Sequence, residues 1–131
     1  MPIEVYWGND EKTVMRFVFQ KPWTWDDFYR AVDRHFVMLR GVDHLVYAIT
    51  DVSQAGTIPP SALSHGRYYW KHWPPNLATI IIIGANPLFL AMDNLFHRLY
   101  GDGHSHLRYA NSVEEALSII NSSRALLRHA S

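Results

Sequence analysis

The sequence predicts an α/β domain with a five-stranded, mostly parallel sheet, an N-terminal antiparallel hairpin and four helices. The first observation is the apolar, β-branched run 77–83, which is typical of a strand covered on both faces inside a parallel sheet. The second is the alternation of such runs with segments whose apolar residues recur at helical spacing. The third is a pair of strand-like segments, Ile3–Trp7 and Thr13–Phe19, separated by the turn residues 8–12, which predicts the hairpin.

A helix is predicted after the hairpin. Thr24 and Asp27 have the spacing of a capping box, and apolar residues recur from Trp25 to Leu39 at helical intervals. Gly41 is expected to end this helix in a left-handed conformation. The segment Leu45–Thr50 then predicts a buried strand, with a loop over 51–60 after it.

The second half of the chain repeats the alternation of helix and strand. Proline placement predicts a helix that begins near Pro60 and stops before Pro74. After the strand Leu77–Ile83, the expected elements are a helix opened by Asn86 and Pro87 and ended by Gly101, a strand over His106–Ala110, and a helix that starts with the capping box Ser112–Glu115 and reaches Leu126 and Leu127.

Composition limits the possible functions. With 131 residues, of which 48% are hydrophobic, the chain is expected to form a single domain over 1–131. Equal numbers of basic and acidic residues, 12 each, argue against nucleic acid or an anionic membrane as partner. There is no cysteine, and no apolar run approaches the ~20 residues of a membrane span. A cytoplasmic protein without a signal segment is therefore expected.

The order of elements resembles the STAS family, the domain of anti-sigma-factor antagonists and sulfate-transporter tails. The resemblance covers most of the chain and is carried by the apolar strand 80–84, the helix ending at Leu99-Tyr100-Gly101, and the segment Ser112–Leu117. It implies a STAS-like fold and a non-catalytic regulatory or protein-interaction module. Such a module is expected to form a homodimer and to bind a protein partner that the sequence does not identify.

The same resemblance implies a regulatory hydroxyl after the third strand, where the family has an Asp-Ser-Ser/Thr-Gly motif. That motif is absent here. Asp51 and Ser53 keep a comparable order, and Thr57 and Ser61 lie nearer the predicted helix start. A phosphate on one of these hydroxyls would be favoured beside a helix N-terminus, whereas turn and capping hydrogen bonds are the alternative role.

No sequence pattern indicates catalysis. Asp51 follows a predicted parallel strand, so a hydrolase built on Asp51 and a nearby histidine is the weakest of three functional hypotheses. There is no nucleophile elbow or phosphate-binding loop, and no cofactor is expected. The eight histidines, including the pairs His104 and His106 and His65 and His72, are interpreted as solvated surface residues rather than metal ligands.

Aromatic residues are more numerous than a small core needs. Tyr68, Tyr69 and Trp70 are consecutive, so they cannot all face inward from one helix. Exposed aromatic residues indicate a protein interface or an apolar ligand pocket. The first hypothesis makes the loop 51–61 and the helix 60–73 an interaction surface, and the second is a carrier or sensor of a small apolar ligand with Tyr69 and Trp70 lining its pocket.

Overall fold

The computed structural model describes residues 2–100 and 107–130, and it confirms the predicted fold class. Four helices and a single five-stranded sheet form within these ranges, in the predicted order. The elements are β1 (Ile3–Trp7), β2 (Val14–Gln20), α1 (Trp25–Arg40), β3 (Val46–Gln54), α2 (Ala62–Lys71), β4 (Leu77–Ile83), α3 (Pro87–Tyr100), β5 (Leu107–Ala110) and α4 (Val113–Ala130).

The strands lie side by side in their order along the chain. β1 and β2 pair antiparallel, with Ile3 opposite Phe19, and all the other pairs are parallel. β4 lies between β3 and β5, as its apolar sequence predicts, and β3 is the central strand of the five. Such a strand is buried from both sides because helices cover both faces of the parallel part.

The two faces of the sheet are covered by different helices. On one face, Ala116 and Ile120 of α4 pack against Ile49 and Ile81. On the other face, α1 packs on the strands through Val32 and other buried residues, and α2 lies beside it. Because successive strand residues point to opposite faces, Ala48, Thr50 and Val52 belong to the α1 and α2 side.

The predicted capping box of α1 is confirmed. The Thr24 hydroxyl accepts a hydrogen bond from the Asp27 backbone N–H, and the Asp27 carboxylate accepts one from the Thr24 backbone N–H. This reciprocal pair satisfies two groups that lack partners within the helix. Gly41 follows α1 with φ −78°, so the expected left-handed conformation is wrong, and its N–H instead bonds the Val37 and Met38 carbonyls.

The expected loop over 51–60 is shorter than predicted. Asp51 pairs with Val18 and Ile83, and the strand continues to Gln54, whose carbonyl accepts a hydrogen bond from the Lys21 N–H. Partners on the neighbouring strands therefore extend β3 through polar residues that the apolar pattern assigns to a loop. Similarly, β2 begins and ends one residue later than predicted, and α4 continues past Leu127.

Gly84 ends β4 in a conformation that suits glycine. Its φ is +77°, and a Cβ placed there would lie 2.5 Å from the Cβ of Ser53. The turn before α3 therefore passes directly against the end of β3. Asn86 then precedes α3 as predicted, and its carbonyl accepts the hydrogen bond from the Leu90 N–H. The predicted roles of Gly101, His104 and His106 lie outside the described residues.

The described helices differ from membrane spans in length and hydropathy. None is both long enough and apolar enough to cross a bilayer.

Candidate ligand-binding site

A cavity of about 250 Å³ lies between α1, α2 and the sheet. We call it the aromatic cavity because phenyl, indole and phenol rings dominate its wall. The aromatic wall residues are Phe17, Phe19, Trp23, Trp25, Phe28, Tyr69, Trp70 and Trp73. Strands supply the floor, α1 supplies one side wall, and α2 with the segment 55–58 supplies the roof. Asn86, which precedes α3, and Asp93 within α3 line a further side.

Indole N–H groups of the wall are directed at backbone carbonyls. Trp23 Nε1 donates to the Ala55 carbonyl at 2.9 Å, Trp25 Nε1 donates to the Pro60 carbonyl at 2.6 Å, and Trp73 Nε1 donates to the Leu77 carbonyl at 2.9 Å. Two of these bonds join the start of α1 to the segment that precedes α2. Since their polar edges are satisfied in this way, these three rings offer apolar surface to the cavity.

A buried histidine holds the roof to the floor. His35 is 0% exposed, and its two ring nitrogens lie 2.8 Å from the Met15 sulfur and 2.8 Å from the Tyr69 hydroxyl. A thioether can only accept, so Nδ1 carries the proton and donates to Met15, while Nε2 accepts from Tyr69. Burial lowers the pKa of His35 to about 4 and raises the pKa of Tyr69, so both groups are neutral near pH 7.

The roof helix is itself poorly buried. No residue of α2 is fully buried, although Leu63, Tyr69 and Trp70 all line the cavity. Its N-cap, Ser61, has φ 71° and makes no side-chain capping bond. The apolar side of α2 therefore faces the aromatic cavity, and Tyr69 also packs against the core beneath α1.

The structure separates the site residues expected from sequence into two groups. Tyr69 and Trp70 come together in the cavity wall, as the ligand-carrier hypothesis expects. Asp51, Ser53, Thr57 and Ser61 do not line the cavity. Asp51 pairs with Ile83 and so points to the face that α4 covers, because Thr50 points to the other face.

The expected hydroxyl roles are found in part. Asp51 Oδ1 accepts hydrogen bonds from the Ser53 N–H at 2.9 Å and from the Ser53 hydroxyl at 2.7 Å, which is the expected turn-type bonding. A phosphate on Ser53 would therefore be placed beside a carboxylate, an unfavourable arrangement of like charges. The prediction of a capping bond at Ser61 is wrong, since the backbone of this residue is in the left-handed conformation and its side chain makes no capping hydrogen bond.

Two cavity residues were missed by the sequence reasoning. His35 contradicts the interpretation of the histidines as solvated surface residues, because α1 buries it between Met15 and Tyr69. Its spacing was an available signal, since His35 lies three residues after Val32 and four before Leu39 on the apolar side of α1. Thr50 lines the floor, and only its strand register reveals this.

The described histidines and carboxylates do not form a metal site. Within residues 2–100 and 107–130, no group of three or more His, Asp or Glu side chains could hold a metal ion. His65 Nδ1 is 2.5 Å from the Tyr29 hydroxyl, and His72 Nδ1 donates to the Tyr68 carbonyl at 2.8 Å. His65 therefore joins α2 to Tyr29 of α1, whereas His72 packs against Tyr68 at the C-terminal end of α2 itself.

Comparison with known proteins does not identify a family. A scan against family models and searches of curated proteins and of solved structures all found no match to this chain.

Proposed function

We propose that this chain binds a small apolar molecule, with an aromatic ring system, in the aromatic cavity. The observation that carries the proposal is the cavity itself, about 250 Å³ of space with an aromatic wall under a helix that has no buried residue. Apolar concave sites with few polar groups are where small ligands bind. A ligand there would bury the apolar side of α2 and so replace the packing that this helix lacks.

The volume limits the size of the ligand. An apolar cavity of about 150 Å³ accommodates benzene, so a volume near 250 Å³ corresponds to about ten non-hydrogen atoms. That is the size of a fused two-ring aromatic molecule. Flat rings also match the wall, because aromatic rings stack or meet edge to face at favourable distances. Naphthalene is therefore a suitable probe.

Calorimetric titration of the purified chain with naphthalene tests the proposal. We expect saturable binding with one molecule per chain. The matched variants are Gly66→Leu, which places a side chain at a cavity-lining position of α2, and Ser64→Leu, which adds the same side chain at an exposed position of α2. Gly66→Leu should abolish binding and Ser64→Leu should preserve it. Equal binding by both variants, or no binding by the unmodified chain, would contradict the proposal.

A second candidate function is the regulatory or protein-interaction module suggested by the STAS resemblance. Tyr68 favours it, because this residue of α2 is 40% exposed and its ring lies edge-on to Tyr29 and against His72. Exposed aromatic residues are enriched at protein interfaces. Tyr68, rather than Tyr69 or Trp70, is therefore the anchor that we propose for an interface of this module.

Light scattering over a range of protein concentrations tests self-association. If α2 carries a homodimer interface, the unmodified chain should show twice the monomer mass and Tyr68→Ala should shift the mass toward the monomer. Val37→Ala is the control, since Val37 is an exposed apolar residue of α1. A dimer that Tyr68→Ala leaves intact would contradict the role of Tyr68.

A further inference from the structure

We propose that Thr50 is the polar anchor of the aromatic cavity, and that the ligand is an aromatic molecule without negative charge whose one hydrogen-bonding group pairs with the Thr50 hydroxyl. This inference rests on the proposed ligand-binding function and adds the chemical class of the ligand.

Thr50 is unlike its neighbours on the cavity floor. Among the described strand residues that line the cavity, it alone has a polar side chain. It is paired with Phe17 on one side and Ile82 on the other, and Ala48 and Val52 flank it along the same face of β3. The hydroxyl is therefore surrounded by apolar groups of the sheet.

The Thr50 hydroxyl has no hydrogen-bond partner among the residues that the structure describes. The hydroxyl is also accessible from the cavity. In the described part of the chain, Arg16 Nε is the only side-chain polar atom that is both fully buried and without a partner, so the Thr50 hydroxyl is not fully buried. The side chains of His35, Tyr69 and the three indoles already have partners, and Asp93 accepts a hydrogen bond from the Tyr109 hydroxyl.

A purely apolar ligand would separate this hydroxyl from water without replacing the lost hydrogen bond. Such a loss weakens binding, whereas a ligand group that forms a hydrogen bond with the hydroxyl replaces the lost bond to water. A hydroxyl both donates and accepts, so an alcohol, a phenol, an amine or a carbonyl group could pair with Thr50.

The wall also argues against a negatively charged ligand, since it contains the carboxylate of Asp93. No lysine or arginine is among the described residues that line the cavity, and His35 is neutral near pH 7. A carboxylate on the ligand would therefore be buried without a cation to compensate it, and unpaired buried charges are strongly unfavourable.

Calorimetric titration of naphthalene and 1-naphthol against the unmodified chain and Thr50→Val tests the inference. Valine has nearly the same shape as threonine and suits a strand, so the variant replaces the hydroxyl with a methyl group and changes little else. We expect the unmodified chain to prefer 1-naphthol over naphthalene by about fivefold, the ratio that one net hydrogen bond gives. Thr50→Val should lose this preference and bind naphthalene within about twofold of the unmodified chain.

Two further arms sharpen the test. Thr50→Ser keeps the hydroxyl and should retain the preference for 1-naphthol, and 1-naphthoate should bind the unmodified chain at least about tenfold more weakly than 1-naphthol. If naphthalene binds but Thr50→Val leaves the preference unchanged, the role of Thr50 is wrong while the proposed function stands. If neither naphthalene nor 1-naphthol binds, the proposed function fails and this inference with it.

Discussion

The two faces of the sheet are built from the same strands, yet they are closed in different ways. On one face, Ala116 and Ile120 of α4 are fully buried against the isoleucines of β3 and β4. On the other face, α2 has no buried residue and lies over a cavity of about 250 Å³. The α4 face is a packed core, whereas the opposite face is packed beneath α1 and leaves a cavity beneath α2. The aromatic residues of this chain therefore serve both purposes, since Phe17, Phe19 and Trp23 are buried core residues that also line the cavity.

The largest expected difference between the faces is in stability. Ile120→Ala removes a side chain that is 1% exposed in the packed face and should lower the free energy of unfolding by about 4 kcal/mol. Leu63→Ala, at a partly exposed position that borders the cavity, should lower it by less than about 1 kcal/mol. Urea unfolding measures both values. Equal losses would show that the α2 face is as tightly packed as the α4 face.

The next largest effect is the pH dependence that His35 gives to the cavity face. Burial lowers its pKa from 6.5 to about 4 in the folded chain, so the unfolded chain binds more protons between these values. Above pH 6.5, His35 is neutral in both the folded and the unfolded chain, so the free energy of unfolding has its full value. It should fall by about 3 kcal/mol as the pH drops to 4. Urea unfolding at several pH values measures it. His35→Gln should flatten the dependence in this window, and an equally steep loss in that variant would exclude His35 as its source.

A smaller effect is expected from filling the cavity. Gly66→Leu replaces a glycine inside α2, which should stabilise the helix by about 1 kcal/mol through backbone propensity alone. The same change should abolish naphthalene binding, so stability and binding would change in opposite directions. Thermal unfolding with and without naphthalene measures both effects. A destabilised Gly66→Leu variant would mean that the space beside Gly66 is too small for the new side chain.

Local patterns predicted the elements well. The capping box of Thr24 and Asp27 marks the start of α1, and the β-branched run predicts β4 with its bounds, because both depend on residues close together in sequence. The extension of β3 to Gln54 was missed because it depends on partners in β2 and at Lys21. The pairing of β1 with β2 was predicted correctly, because both strands and their turn lie close together in sequence, within 3–20.

The site was predicted less completely than the fold. Tyr69 and Trp70 were recognised as candidate pocket residues from the aromatic excess. The cavity itself depends on the distance between α2 and the sheet, which no periodicity encodes. The same residue types could equally have formed a closed core, as Tyr47 does on the α4 face. His35 was missed because histidine was counted as a surface residue despite its position on the apolar side of α1.

The central claim is that the α2 face binds a ligand and the α4 face does not. Two-dimensional ¹H–¹⁵N NMR spectra, recorded as naphthalene is added to the full chain, test this most directly. We expect saturable shifts at backbone amides of α2 and of the cavity floor, including Ala48 and Thr50, with little change at Ala116 and Ile120. Shifts that do not saturate, or that are as large on α4 as on α2, would contradict the account.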